Sequence, residues 1–167
     1  GYLGSDGIRP LLSLCDEMDR GIFVLVKTSN PSSGELQDRL LAAAGAQAEE
    51  TVYQAMGRMC ESWGAQTRSC GGYSAVGAVV GATYPRQLAQ LRGELPHTFF
   101  LVPGYGAQGG GGQDVAPAFD QSGGGAIVNS SRGILCAWKK ESASGEDYAG
   151  AARREALRMK EDITRWL

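Results

Sequence analysis

The stretch Phe99-Phe100-Leu101-Val102-Pro103-Gly104-Tyr105-Gly106-Ala107-Gln108-Gly109-Gly110 joins an apolar run to a G-x-G-x-x-G spacing. That is the pattern of a dinucleotide-binding turn, placed after a strand where such a turn belongs. A dinucleotide turn has its third glycine inside a helix that has already begun, because the helix N-terminus holds the pyrophosphate. Here Gly109 is followed by Gly110, Gly111 and Gly112, and each glycine is about 1 kcal/mol worse than alanine in a helix. The sequence therefore predicts no helix before Gln113 or Asp114, with Asp114 as N-cap of a short helix over 115–119 and Pro117 tolerated in its first turn. The acidic residue that should end the following strand is missing as well, since that strand runs into Ser130-Ser131-Arg132. Both features argue against NAD. An inert linker fits no better, because Pro103, Tyr105 and Gln108 are not spacer residues. What remains is a glycine-hinged loop that offers bare N–H groups and the Gln108 amide to an anionic ligand. Arg132 arrives from the next strand end, and its guanidinium suits bidentate phosphate contact at any working pH.

Outward from this stretch, four apolar runs read as strands: 22–28, 76–83, 98–102 and 125–129. They are near-continuous rather than alternating, the pattern of parallel strands covered on both faces. Helical spacing fills the intervals. Over 49–63 it puts Val52, Met56, Met59 and Trp63 on one stripe, and over 148–166 it aligns Ala152, Ala156, Met159 and Ile163. Further helices are expected near Ser5 and near Pro85, where proline suits a first turn. Segment 30–48 is the least regular and reads as an ordered loop with a short helical piece. A helix followed by four strand–helix pairs predicts one α/β domain over 1–167, built on a parallel sheet with right-handed crossovers. In such sheets the strand carboxyl ends share one rim. Lys27-Thr28-Ser29-Asn30, Gly81-Ala82-Thr83, the loop after Val102 and Asn129-Ser130-Ser131-Arg132 should converge there on a polar site.

Composition narrows the partners. The formal charge is -2, and lysine and arginine occur together only as pairs such as Lys139-Lys140 and Arg153-Arg154, so nucleic acid and anionic membrane are poor partners. No apolar run approaches the ~18 residues of a membrane span, and a cytoplasmic protein is the simplest reading. Cys15, Cys60, Cys70 and Cys136 have neither C-x-x-C spacing nor a second ligand type beside them, which favours reduced thiols over zinc or disulfides. The chain opens Gly1-Tyr2-Leu3-Gly4 without methionine, and a fragment is expected.

Four motifs in this order, Leu25-Val26-Lys27-Thr28-Ser29-Asn30-Pro31, Val76-Gly77-Ala78-Val79-Val80-Gly81-Ala82-Thr83, the stretch from Leu101 to Gly110, and Ile127-Val128-Asn129-Ser130-Ser131-Arg132-Gly133-Ile134, resemble orotidine 5'-phosphate decarboxylases of the longer bacterial type. The resemblance covers essentially the whole chain. It implies a (β/α)8 TIM barrel of the ribulose-phosphate-binding type, of which this chain holds about the last four βα units, with Tyr2-Leu3-Gly4 similar to the end of the fourth strand. The activity implied is decarboxylation of orotidine 5'-monophosphate (OMP) to UMP and CO2, with no metal or organic cofactor. Carried over by position, Ser29 would hydrogen-bond the pyrimidine, and Gln108 would reach the phosphate and the base edge. Arg132, with the backbone around Ser131 and Gly133, would hold the 5'-phosphate; Pro103, Gly104, Gly106 and Gly109 would shape the loop and its hinge. The family's catalytic Asp-x-Lys-x-x-Asp array does not occur in this chain, so no catalytic residue is assigned. The nearest likeness, Arg158-Met159-Lys160-Glu161-Asp162, reads as the solvated face of the last helix.

Lys27 lies on the same side of its strand as Leu25 and Ser29, which suits either a Schiff-base lysine or, preferably, an ion-pair partner inside the barrel. His97, after Pro96 at a strand start, reads as structural. Open strand edges imply a missing N-terminal half, a complementing chain or a homodimer. The alternatives in function are a non-catalytic nucleotide-phosphate binder or pseudoenzyme, and another phosphate-binding barrel enzyme.

Overall fold

The computed structural model describes residues 4–43, 48–67, 71–106, 110–141 and 145–167. Cys70, Gln108 and Gly109 lie outside them, as do Tyr2 and Leu3. Helix α1 (Ser5–Met18) leads into β1 (Ile22–Lys27). An antiparallel pair, β2 (Leu40–Leu41) with β3 (Glu50–Thr51), then precedes α2 (Val52–Gly64). The chain continues through β4 (Val76–Val80), α3 (Pro85–Glu94), β5 (Phe100–Pro103), α4 (Gly112–Val115) and β6 (Ala126–Asn129), and ends in α5 (Ser131–Leu135), α6 (Trp138–Glu141) and α7 (Tyr148–Thr164). Strands β1, β4, β5 and β6 form one parallel sheet in that order, with Ile22 beside Val76, Ala78 beside Phe100 and Phe100 beside Ala126. The four predicted strands and the helices near Ser5 and Pro85 are thus present, each strand within a few residues of its expected bounds. The β2–β3 pair has no counterpart in the sequence reading, because two-residue strands carry no periodicity.

The sheet is covered on one face. Val24, Val26, Val76, Ala78, Val80, Phe100 and Val102 pack with Leu88, Leu91 and Leu95, and with Met159 and Ile163 of α7, into a single core. The alternate positions are open: Phe23, Leu25 and Ile127 are 48%, 64% and 54% exposed. The expectation of two covered faces is therefore corrected. The apolar residues at alternate positions are present, but nothing in this chain packs on them.

Two helical stripes also shift. Thr51 caps α2: its hydroxyl accepts the Gln54 N–H, and the Gln54 side chain accepts the Thr51 N–H in return. The side of α2 that meets the sheet is Tyr53, Gly57, Cys60 and Gly64, one residue round from the expected stripe, whose members are only half-buried. Close approach decides this, since a methyl group at Gly57 would stand 2.9 Å from Leu95 Cδ1. On α7 the buried residues are Ala151, Met159 and Ile163, while Ala156 is exposed. Helix α4 begins at Gly112, earlier than predicted, and Asp114 is not its N-cap. Asp114 sits inside the first turn, where its carboxylate accepts the Gly111 N–H at 2.8 Å, and a second carboxylate, Asp162, accepts the Gly112 N–H at 2.7 Å. These acceptors offset the poor helix propensity of the glycines.

The turn before β6 is organised by Asp120, which accepts hydrogen bonds from Ser122 Oγ, the N–H groups of Ser122 and Gly124, and the Tyr73 hydroxyl. Ser122 Oγ foremost, then Tyr73, hold this carboxyl well below the usual carboxylate range. Its contribution to stability is complete above the ordinary carboxyl range and is lost as pH falls through the folded-state value. Asp120→Asn is expected to lower the melting temperature at neutral pH and to flatten its decline between about pH 5 and pH 2. Thermal melts across that range check this, and an unchanged slope would contradict it.

Candidate functional site

The strand carboxyl ends meet at one rim. Beyond β1, β5 and β6 lies a cleft of about 190 Å³ lined by Ser29, Pro103, Gly104, Tyr105, Asn129, Ser130, Ser131 and Arg132. Ser29 reaches it because β4 ends in Gly81: a Cβ there would stand 2.8 Å from Ser29 Cβ and 2.9 Å from its backbone nitrogen. The strand ends are tied at this level, with the Gly81 N–H donating to Lys27 O at 2.7 Å and the Ala82 N–H to Pro103 O at 2.9 Å. Gly104 and Gly106 adopt φ of 102° and 77°, a left-handed backbone that only glycine takes without strain, so the chain turns sharply as it leaves β5.

Tyr105 and Ser130 form the floor. Tyr105 is buried, and its hydroxyl donates to Asp162 at 2.6 Å. Burial first, then Asp162, push the phenol up to about 12, so it remains a donor. Ser130 Oγ donates to the Tyr105 carbonyl at 2.9 Å. Arg132 stands exposed at the mouth, with no ion pair or side-chain hydrogen bond among the described residues. None of the eight lining residues is acidic. Hydroxyls, an amide and one guanidinium without a partner make a receptor for an anion that also offers hydrogen-bonding edges.

The structure thus brings Ser29, Pro103, Gly104, Ser131 and Arg132 together. Gly106 and Gly133 adjoin the cleft without lining it; a side chain on Gly133 would run into Ser130 Oγ. Gln108 and Gly109 lie outside the described residues. Tyr105 and Asn129 sat in the quoted motifs without a role, and a tyrosine between two positive-φ glycines carries no sequence signal for burial.

Two other side chains separate from the cleft. Lys27 does not share the side of Leu25: a register irregularity between Leu25 and Lys27 buries Val26 and Lys27 in succession. The ammonium is fully enclosed, donating to Asp38 at 2.8 Å and to Ser33 Oγ at 3.1 Å, with the Tyr84 ring 4.6 Å away. The preferred ion-pair reading holds, but on the helix-covered side of the strand, where Lys27 anchors the loop that follows Ser29. His97 pairs with Glu61 at 2.6 Å before β5, at the opposite end of the strand from the cleft, and Thr98 Oγ1 donates to the same carboxylate.

Residues 1–146 match the family model for the orotidine 5'-phosphate decarboxylase / HUMPS family. The chain belongs to this family. It is 45% identical to the orotidine 5'-phosphate decarboxylase of Rhodopirellula baltica, an alignment that takes in 97% of this chain and 53% of that protein. With the Caldicellulosiruptor bescii protein of the same name the identity is 41%, over 97% of this chain and 50% of that one. Among solved structures, Leishmania donovani OMP decarboxylase superposes with a TM-score of 0.68 at 31% identity, covering 98% of this chain and 55% of that one. The UMP synthase of the same organism gives 0.69 at 34%, covering 97% and 32%. The chain spans about half the length of the curated relatives it matches. Its parallel sheet and flanking helices are about four βα units of the family's (β/α) barrel.

Proposed function

We propose that this chain forms the phosphate- and pyrimidine-binding part of an OMP decarboxylase, a single domain over 1–167 corresponding to the later part of the barrel. The convergence of Ser29, Ser131 and Arg132 on one cleft at the strand carboxyl ends carries this reading. Arg132 and the N–H groups around Ser131 and Gly133 hold the 5'-phosphate, Ser29 meets the pyrimidine, and Gln108 bridges phosphate and base. Pro103, Gly104, Gly106 and Gly109 shape the connecting loop. Binding energy from the phosphate, remote from the reacting carbon, favours closure and water exclusion. The carboxylate on the ring leaves as CO2, and the carbanion-like centre it leaves behind takes a proton from an ammonium group. No Asp-x-Lys-x-x-Asp array occurs in this chain, so that ammonium comes from another segment. The exposed Phe23, Leu25 and Ile127 and the open β1 and β6 edges are where an N-terminal half or a second copy would pack. No helix of the described residues is long and apolar enough to cross a membrane; with charged nucleotides as substrate and product, the proposed setting is the cytoplasm.

The test is CO2 release from OMP. The chain alone is expected to be inactive, and addition of the first half of a relative's barrel, carrying the Asp-x-Lys-x-x-Asp array, is expected to restore turnover. A complemented barrel that binds UMP without releasing CO2 would favour the non-catalytic binder instead.

A further inference from the structure

The last helix, read from sequence as a solvated face, reaches into the site. Asp162 of α7 is half-buried, and one oxygen, Oδ2, accepts both the Tyr105 hydroxyl at 2.6 Å and the Gly112 N–H at 2.7 Å. These donors flank the connection between β5 and α4 on either side. From Tyr105 the chain of contacts continues to the cleft, because the Tyr105 carbonyl accepts Ser130 Oγ at 2.9 Å, and Ser130 immediately precedes Ser131 and Arg132. Close packing fixes the helix against this point: a Cβ on Gly112 would stand 2.9 Å from Trp166 Cδ1 and would overlap the Asp162 backbone.

We propose that Asp162 is a positioning residue for the phosphate-binding cleft, holding Tyr105 and Gly112 in register and, through the Tyr105 carbonyl, orienting the Ser130–Arg132 turn. This rests on the proposed phosphate-binding reading of the cleft. Asp162 does not touch the ligand. It acts as a shared acceptor joining the C-terminal helix to both ends of the β5–α4 connection. The sequence hides it because a carboxylate beside Arg158 and Lys160 looks like an ordinary surface charge; its place between Met159 and Ile163, on the flank of the buried stripe, is the signal that was available.

The test uses the 167-residue chain with Asp162→Asn, which keeps the side-chain volume but removes the charge, and with Tyr105→Phe, which removes the donor. Hydrogen exchange and the affinity for UMP and for inorganic phosphate are read on each. Each variant is expected to raise exchange at Gly112 and Gly106 by about tenfold and to weaken UMP binding by about tenfold, while amides of β4 and β5 exchange as before. The double variant should be no worse than the stronger single one, since both break the same contact. Exchange at Gly112 and Gly106 equal to that of the unaltered chain, or raised only in step with β4 and β5, would overturn the proposal. Should the unaltered chain bind neither UMP nor phosphate, the reading of the cleft falls, and the exchange data still decide whether Asp162 holds Tyr105 and Gly112.

Discussion

Arg132→Ala is expected to abolish most of the chain's affinity for UMP while leaving its melting temperature unchanged. The guanidinium is exposed and makes no hydrogen bond or ion pair among the described residues, so its removal costs the fold little. A bidentate contact to a phosphate dianion comprises two charge-assisted hydrogen bonds, and losing about 3 kcal/mol corresponds to roughly 100-fold in affinity. Lysine at this position should recover only part of the loss, because a point charge lacks the planar fork. Calorimetric titration of UMP checks this. A variant that binds UMP as tightly as the unaltered chain would remove Arg132 from the site and leave the cleft without a cation.

The second large effect concerns the scaffold. Phe100 is fully buried in β5, between Ala78 and Ala126 of the neighbouring strands, with the Arg92 guanidinium 4.2 Å from the ring centroid. Phe100→Ala opens a cavity and strands a guanidinium that burial has already pushed below its ordinary pKa. A loss of about 3–5 kcal/mol is expected, a large fraction of the roughly 5–15 kcal/mol that holds a domain together. Chemical denaturation measures it, and a loss under about 1 kcal/mol would mean that the site collapses around the smaller side chain. Because Phe100 lies in the strand that delivers Pro103 and Gly104, the variant should also blunt UMP binding at temperatures where it remains folded.

The sheet was legible because β-branched and aromatic runs separated by helical spacing leave few alternatives. The rim residues were legible from strand order alone: once 22–28, 98–102 and 125–129 are parallel, Ser29, Pro103 and Arg132 fall at the same end. Local packing was less visible. The side of α2 that meets the sheet is chosen by Gly57 and Gly64, where absence of a side chain permits close approach, and hydrophobic periodicity weights those positions least. A one-residue irregularity turned Lys27 away from Leu25, and nothing in Leu25-Val26-Lys27 marks it. Helix α4 starts among glycines because two distant carboxylates accept its N–H groups, and Asp162 is 50 residues from the Gly112 N–H it accepts.

The central claim is that the cleft at the strand carboxyl ends recognises the phosphate of a pyrimidine nucleotide. Titrating the isotope-labelled chain with UMP and, separately, with uridine tests it most directly. UMP should bind about 100-fold more tightly than uridine, inorganic phosphate should compete, and the largest backbone shifts should fall at Ser29 and at Ser130–Gly133. Equal affinity for the two ligands, or shifts centred on the opposite ends of the strands around Phe23 and Tyr73, would contradict it.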